Sequence, residues 1–350
     1  MVKKICFLLQ LIPILCNAQF GQKNIHFSGY IEPYYSYDFT GNKENQKPNF
    51  LYNHVRNNEF NINLMLAKAQ YNDSTFRVNI ALMAGNYAAN NLAAEPTWAQ
   101  FIYEANIGIK LSKKHNLWAD VGIMPSHIGF ESAIGTDCWT LTRSIAAENS
   151  PYYEAGLKLN YTSKNGEWYV AGMLLNGWQT IQKPLHTTPI AGGIQVTFIP
   201  TPNFTINYSN YVGKDYQYDG QPLRIFHNGY LSFAPSKKLK ILAGFDFGTI
   251  KFHEGYYIWY SPILQVRYAF SKRFSTTLRS EIYNDKYGVI IQRPSNLPFS
   301  ALGFSTNVDY AVRENVLFRV ELKQLNYDNA IDIHNTKQDL FFTTSLSVKL

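Results

Sequence analysis

The sequence predicts an all-β protein, a transmembrane antiparallel up-and-down β-barrel of about sixteen strands. Three observations predict it. Apolar and polar residues alternate with period two along most of residues 20–350. The connections between the alternating segments are by turns short and long. The composition is rich in aromatics, with 25 Tyr, 23 Phe and 6 Trp, while only 16% of residues are charged.

The N-terminus reads as a secretory signal. Lys3 and Lys4 precede an apolar run from Ile5 to Leu15, and the small residues Cys16 and Ala18 stand where a signal peptidase wants them. Cleavage is expected between Ala18 and Gln19, dividing the chain into a signal peptide, 1–18, and a barrel domain, 19–350. Without the signal, Lys+Arg falls from 32 to 30 against 25 Asp+Glu, so the net charge falls from +7 to +5. Cys138 is then the one remaining thiol, so no internal disulfide is expected. The basic residues are scattered, which argues against nucleic acid as a partner. No apolar run after the signal is long enough for a membrane helix, so a membrane location requires a closed barrel, whose backbone bonds are all satisfied between strands.

The alternation is plainest at the C-terminus. Leu340, Phe342, Leu346, Val348 and Leu350 share one face, and Phe341, Thr343, Ser345, Ser347 and Lys349 share the other. The same pattern groups Phe60-Ile62-Leu64-Leu66, Phe76-Val78-Ile80-Leu82, Leu264-Val266-Tyr268-Phe270 and Val316-Phe318-Val320-Leu322 on apolar faces. Short polar connections fall at Asn72–Ser74, Ser112–Asn116, Ser163–Gly166, Thr201–Asn203, Pro235–Lys238, Ser271–Arg273 and Arg313–Asn315. Long ones run over 38–53, 85–99, 131–150, 178–189, 213–223, 285–299 and 328–337. Short turns on one rim and long loops on the other are the outer-membrane barrel pattern, with the short rim in the periplasm. A soluble sandwich also has one apolar face. Ionised residues of both signs in mid-strand, and aromatics where the apolar faces end (Tyr161 with Trp168, Phe198 with Phe204, Phe270 with Phe274), favour the barrel.

One segment carries a resemblance. Gly122-Ile-Met-Pro-Ser-His-Ile-Gly-Phe-Glu-Ser-Ala-Ile-Gly-Thr-Asp-Cys-Trp-Thr-Leu-Thr-Arg-Ser144, followed by Ala147-Glu-Asn-Ser-Pro-Tyr-Tyr-Glu-Ala-Gly156, resembles the hallmark region of the OmpL-like β-barrel porins common in Bacteroidetes-type outer membranes. The resemblance implies an outer-membrane location and a pore. It supplies no catalytic residues. The last residue, Leu350, departs from the terminal aromatic usual in such barrels.

By strand parity, the polar faces offer Arg77, Lys110, Lys158, Lys240, Arg267, Arg279 and Arg319 against Glu104, Asp120, Glu154, Asp246, Glu281, Asp309 and Glu321. These are the expected pore-lining residues. Their balanced signs predict weak selectivity, since a selective pore concentrates one sign at its narrowest ring. The loop 131–150 follows the fifth strand, where porin loops often fold into the lumen. It is expected to form the constriction through Glu131, Asp137, Arg143 and Glu148, with Arg143 bridging to Asp137, Glu131 or wall acids.

No enzyme, cofactor or metal is expected. There is no Gly-x-Ser-x-Gly elbow, no His pair at metal spacing and no second thiol for Cys138. Ser126 and His127 are neighbours, which in a strand sends them to opposite faces; His127 is expected to be a structural hydrogen-bonding residue. The expected function is a weakly selective aqueous channel for passive diffusion of small hydrophilic solutes or ions. The competing expectation is a barrel scaffold acting as a surface adhesin or partner subunit without an open pore. Expected partners are outer-membrane lipid, the barrel-assembly machinery and, for a homo-oligomer, further copies of the chain.

Overall fold

A computed structural model describes residues 24–40, 45–185, 190–293, 297–331 and 336–350. The expected signal, 1–18, lies outside the described residues. Sixteen strands form one closed antiparallel barrel. In chain order they are β1 (Ile25–Asp38), β2 (Glu59–Asn72), β3 (Phe76–Ala84), β4 (Ile102–Lys110), β5 (Asn116–Pro125), β6 (Tyr153–Thr162), β7 (Trp168–Leu175) and β8 (Ala191–Thr201), followed by β9 (Phe204–Lys214), β10 (Leu223–Phe233), β11 (Leu239–Phe252), β12 (Gly255–Ala269), β13 (Phe274–Asp285), β14 (Phe299–Arg313), β15 (Val316–Tyr327) and β16 (Gln338–Lys349). Each strand pairs with its sequence neighbours, and β16 returns to β1. The seam is closed at its end by Leu350, whose N–H donates to Gly29 O (2.8 Å) while Gly29 N–H donates to Leu350 O (3.0 Å). Closure leaves no strand edge to satisfy in lipid.

The outer wall is apolar, with Ile80, Leu157, Leu264, Phe304 and Leu322 all exposed. Aromatics gather at the short-turn rim, where Trp168 stacks on Phe198 at 4.2 Å and Phe270 lies 5.3 Å from Phe274. On the long-loop side we label the connections L1 (39–58), L2 (85–101), L3 (126–152) and L4 (176–190). L2 carries a short helix, α1 (Asn86–Asn91), and L3 another, α2 (Ile145–Glu148). The link between β11 and β12 is only the two residues His253-Glu254, closing on Gly255 at φ +139°.

The register shifts at four places among the described strands; the shifts at Ala311/Arg313 and Phe198/Thr201 lie beside short turns, and the other two break the period-two reading within the wall. Glu32 pairs with Leu64 and Pro33 with Ile62, so Asn63 is an extra residue in β2. The bulge reverses parity. Leu64 and Leu66, expected on the same face as Phe60 and Ile62, are buried inside the barrel with Tyr30 and Met83. Likewise Ala81 pairs with Glu104 and Leu82 with Ile102, leaving Tyr103 as the extra residue of β4. Tyr103 hydrogen-bonds Ser132 of L3.

Candidate functional site

The lumen holds L3. The chain leaves β5 at Pro125 and then crosses from wall strand to wall strand. His127 is the first anchor. Its Nδ1 lies 2.9 Å from both oxygens of Glu154 on β6, and its Nε2 lies 2.7 Å from Asn210 O on β9. Acceptors on both ring nitrogens require an imidazolium. Burial opposes that charge, but the Glu154 carboxylate prevails and holds the His127 pKa above its ordinary value. Ser209 Oγ donates to His127 O (2.8 Å), and Gly129 N–H donates to Asn228 Oδ1 on β10 (3.2 Å). Phe130 then lies over Gly244 of β11, where any Cβ would fall 2.5 Å from its ring.

The next stretch is held by charged wall residues acting on the loop backbone. Arg319 on β15 donates to Gly135 O (2.8 Å) and Cys138 O (3.1 Å). Arg279 on β13 donates to Thr142 O (2.8 Å), and Lys323 Nζ to Arg143 O (2.9 Å). Glu321 accepts from Thr142 N–H (2.6 Å) and Oγ1 (2.8 Å), and Glu281 accepts from Ile145 N–H (2.6 Å). A loop buried in a lumen has donors and acceptors in equal number and no ladder to satisfy them. Acids serve its N–H groups and bases its carbonyls, which accounts physically for both signs on this wall.

The loop's own charges sit differently from expectation. Arg143 is fully buried, and its guanidinium donates to Ser132 O (2.6 Å), Ala133 O (3.0 Å) and Leu141 O (2.5 Å). It clasps L3 to itself; the expected bridges to Asp137 and Glu131 are not what it makes. Glu131 accepts from Ser144 N–H (2.9 Å) and Gln265 Nε2 (3.1 Å), while Asp137 pairs with Lys349 at 2.7 Å. Glu148 accepts from Tyr52 N–H (2.9 Å) and Asn53 N–H (3.2 Å) of L1, and burial raises its pKa.

That last contact exposes what the sequence reading missed: L1 also enters the lumen. Phe50, Leu51, Asn53, His54 and Val55 are buried, and Phe50 packs 5.0 Å from Phe299. Lys47 donates from Nζ to Thr343 Oγ1 (3.3 Å) on β16. Phe50, Leu51 and Val55 are the buried apolar residues of this long connection, and set among polar neighbours they follow no strand alternation.

The fourteen expected wall charges therefore divide. Glu154, Arg279, Glu281, Arg319 and Glu321 are buried against L3, with Asp309 held by Arg319 at 2.7 Å. Asp246 is buried against Asn228 at 2.5 Å. Toward the short turns lies Arg77, bidentate on Asp120 (2.7 and 2.6 Å), while Glu104, near the L2 end of β4, is paired with Lys68. Lys110 and Lys158 are half-buried, Lys240 is exposed, and Arg267 reaches Asp309 at 3.2 Å.

Ser126 and His127 do not point apart as strand parity predicted, because both lie past the end of β5. Ser126 Oγ donates to Glu154 Oε1 (3.2 Å), the carboxylate that also holds His127. The hydroxyl does not reach a free imidazole nitrogen, since Nε2 is on Asn210 O.

Comparison with solved structures places the fold among porins. The outer membrane channel DcaP of Acinetobacter baumannii matches with a TM-score of 0.62 at 9% identity, over 93% of this chain and 97% of that one. An anion-selective porin from Comamonas acidovorans gives 0.60 at 9% identity, over 93% and 99%. OmpF of Salmonella typhi, in complex with daunomycin, gives 0.63 at 9% identity, over 93% and 98%. No curated protein matches in sequence. The family model described as "Putative beta-barrel porin-2, OmpL-like" matches residues 24–350, nearly the whole described chain. With a closed sixteen-strand barrel, an apolar outer wall and a loop-filled lumen, the chain belongs to this OmpL-like porin family and is a porin-type β-barrel of the bacterial outer membrane.

Proposed function

We propose that the barrel is a narrow, weakly selective channel for passive diffusion of small hydrophilic solutes, and that L3, with L1 docked on it, forms the constriction. The observation that carries this reading is the use of wall charges on the backbone of L3, which fixes the loop across the lumen. About sixteen strands leave an aqueous channel unless loops fill it, so two inserted loops set its width. Planar-bilayer recording on purified, detergent-folded protein tests the reading. Small stepwise openings that grow when residues 132–142 are replaced by a short Gly-Ser link support it. A barrel whose openings are unchanged by that replacement refutes the constriction.

The same reading includes export with removal of residues 1–18, insertion by the barrel-assembly machinery, lipid around the outer wall, and no enzymatic role. It also includes a homo-oligomer. On the outer wall of β7 to β10, Gly172, Gly192 and Gly229 leave a shallow groove, where an added Cβ meets no atom closer than 3.9 Å. Beside it the Tyr208 hydroxyl lies 2.7 Å from His227 Nδ1, with Asn210 Nδ2 donating to Tyr208 at 3.5 Å. Polar groups on a lipid-facing wall are costly, and a second copy would cover them.

A further inference from the structure

Wall charges of the two signs are balanced in number but not in their access to water. Register places Lys68, Arg77, Lys110, Lys158, Lys240 and Arg267 on the inner face of the short-turn half: Lys110 pairs with Trp118, Lys158 with Asp120, and Lys240 with Arg267. All six are at least partly open to water, with the side chains of Arg77 and Arg267 27% and 29% exposed. The acids at the same level are shut away. Asp120 and Asp309 are 3% and 2% exposed, each covered by its own cation.

Three of the cations have no such partner. Among the described residues, Lys110, Lys158 and Lys240 have no carboxylate within ion-pair distance. Trp118 collects two positive groups on its ring, Arg77 at 4.5 Å and Lys110 at 5.9 Å from the centroid. Lys240 stands directly opposite Arg267 across β11 and β12. Like charges facing each other on neighbouring strands destabilise a sheet, and an anion between them removes the penalty. The short turns continue the field with the adjacent pairs Lys113-Lys114, Lys237-Lys238 and Lys272-Arg273, against the isolated acids Asp73, Glu167 and Glu314.

We infer that the short-turn half of the lumen is an anion-attracting vestibule, which favours small carboxylate- and phosphate-bearing solutes over cations. A cleft lined by one sign of charge with low-dielectric walls raises the local concentration of the opposite ion. The vestibule gives the weak selectivity of the channel its sign. The inference rests on the reading of the barrel as a channel, and its test separates the two.

Bilayer conductance addresses the channel, and the reversal potential under a KCl gradient addresses the vestibule. Wild-type protein is expected to prefer chloride to potassium. The triple variant Lys110→Glu/Lys158→Glu/Lys240→Glu is expected to shift the reversal potential toward potassium, with heat-modifiable gel migration confirming that it has folded. Lys286→Glu, on an exposed long-side loop away from the vestibule, is expected to leave the reversal potential in place. A conducting wild type that prefers potassium, or a folded triple variant with an unshifted potential, overturns the vestibule and leaves the channel standing. A silent barrel overturns the channel, and calorimetric titration with citrate then decides the vestibule. Citrate binding that the triple variant loses supports it; no binding to wild type overturns it.

Discussion

Arg319, on β15, donates 2.8 Å to the carbonyl of Gly135, a residue 184 positions earlier in the chain, at the far reach of L3. The same guanidinium holds Cys138 O and pairs with Asp309, all fully out of water. Removing Arg319 leaves two buried carbonyls without their donor and Asp309 with only the half-buried Arg267, at a cost of about 3–5 kcal/mol. Arg319→Met is expected to release the tip of L3 while the strand ladder persists. Limited proteolysis should then cut within L3, and single-channel current should become larger or noisier. A variant as protease-resistant and as quiet as wild type would show that L3 is held by other contacts.

Arg143 tests a different property of the same loop. As a buried clasp on three backbone carbonyls, it contributes its bonds rather than a field in the pore. Each charged hydrogen bond is worth roughly 1.5–3 kcal/mol. Arg143→Ala is therefore expected to increase open-channel noise and leave the reversal potential unchanged. A shifted potential with a quiet trace would instead make Arg143 a charge of the constriction.

Lys47 makes the docking of L1 sensitive to pH. Burial, reinforced by Lys323, pulls its pKa from the ordinary 10.5 down to about 7, against the opposing pull of Glu321, Glu148 and Asp38. Between those two values a withdrawn L1 binds a proton that the docked loop does not. Docking therefore strengthens as pH rises through the window and is weakest below about 7. Protease sensitivity of L1 should fall in wild type as pH rises from about 6 to about 9, across the lowered pKa of Lys47. In Lys47→Met it should be nearly flat; an equal slope in both would assign the pH effect to another group.

The lipid face is tested by Leu264, which is exposed on the outer wall of β12, and its near neighbour Arg267 on the inner wall. Leu264→Arg places a charge in lipid and should cost about 2–4 kcal/mol near the midplane. Arg267→Leu should cost much less, because Asp309 keeps Arg319. Urea unfolding from vesicles measures both. Equal losses would contradict the assignment of faces.

Much of this barrel was legible from periodicity, and the reasons for the exceptions are local. Strands such as β15 and β16 keep strict alternation, so every residue from Val316 to Leu322 faces as parity says. Parity fails where one residue is inserted. Nothing in Asn61-Ile62-Asn63-Leu64 marks Asn63 as a bulge, because its reason lies elsewhere in the chain: it accepts from His54 N–H (2.8 Å) and donates to Glu32 (2.9 Å). Parity also has no meaning past a strand end, which is how Ser126 and His127 meet on one carboxylate. The wall charges were identifiable, but not their purpose. Whether a mid-strand Glu faces water or a loop N–H depends on a segment more than a hundred residues away, as Glu321 and Thr142 show with a separation of 179.

Assembly gives the last prediction. Gly172 has open space where a side chain would stand, so a large residue fits there without disturbing the barrel's own packing. It lines a groove with Leu157, Leu174, Ile194 and Val212, next to the Tyr208–His227 hydrogen bond. If a second copy occupies this groove, Gly172→Trp blocks its approach and strands the polar pair in lipid. The variant should fold, keep its heat-modifiable migration and its single-channel conductance, and yet lose the higher oligomer in light scattering from mild detergent. His227→Leu should act in the opposite sense on a monomer: it removes a polar group from the lipid face, so an isolated barrel becomes more stable while the oligomer weakens. Wild type that is already monomeric, or an oligomer untouched by Gly172→Trp, would mean that lipid covers this wall and that copies meet elsewhere.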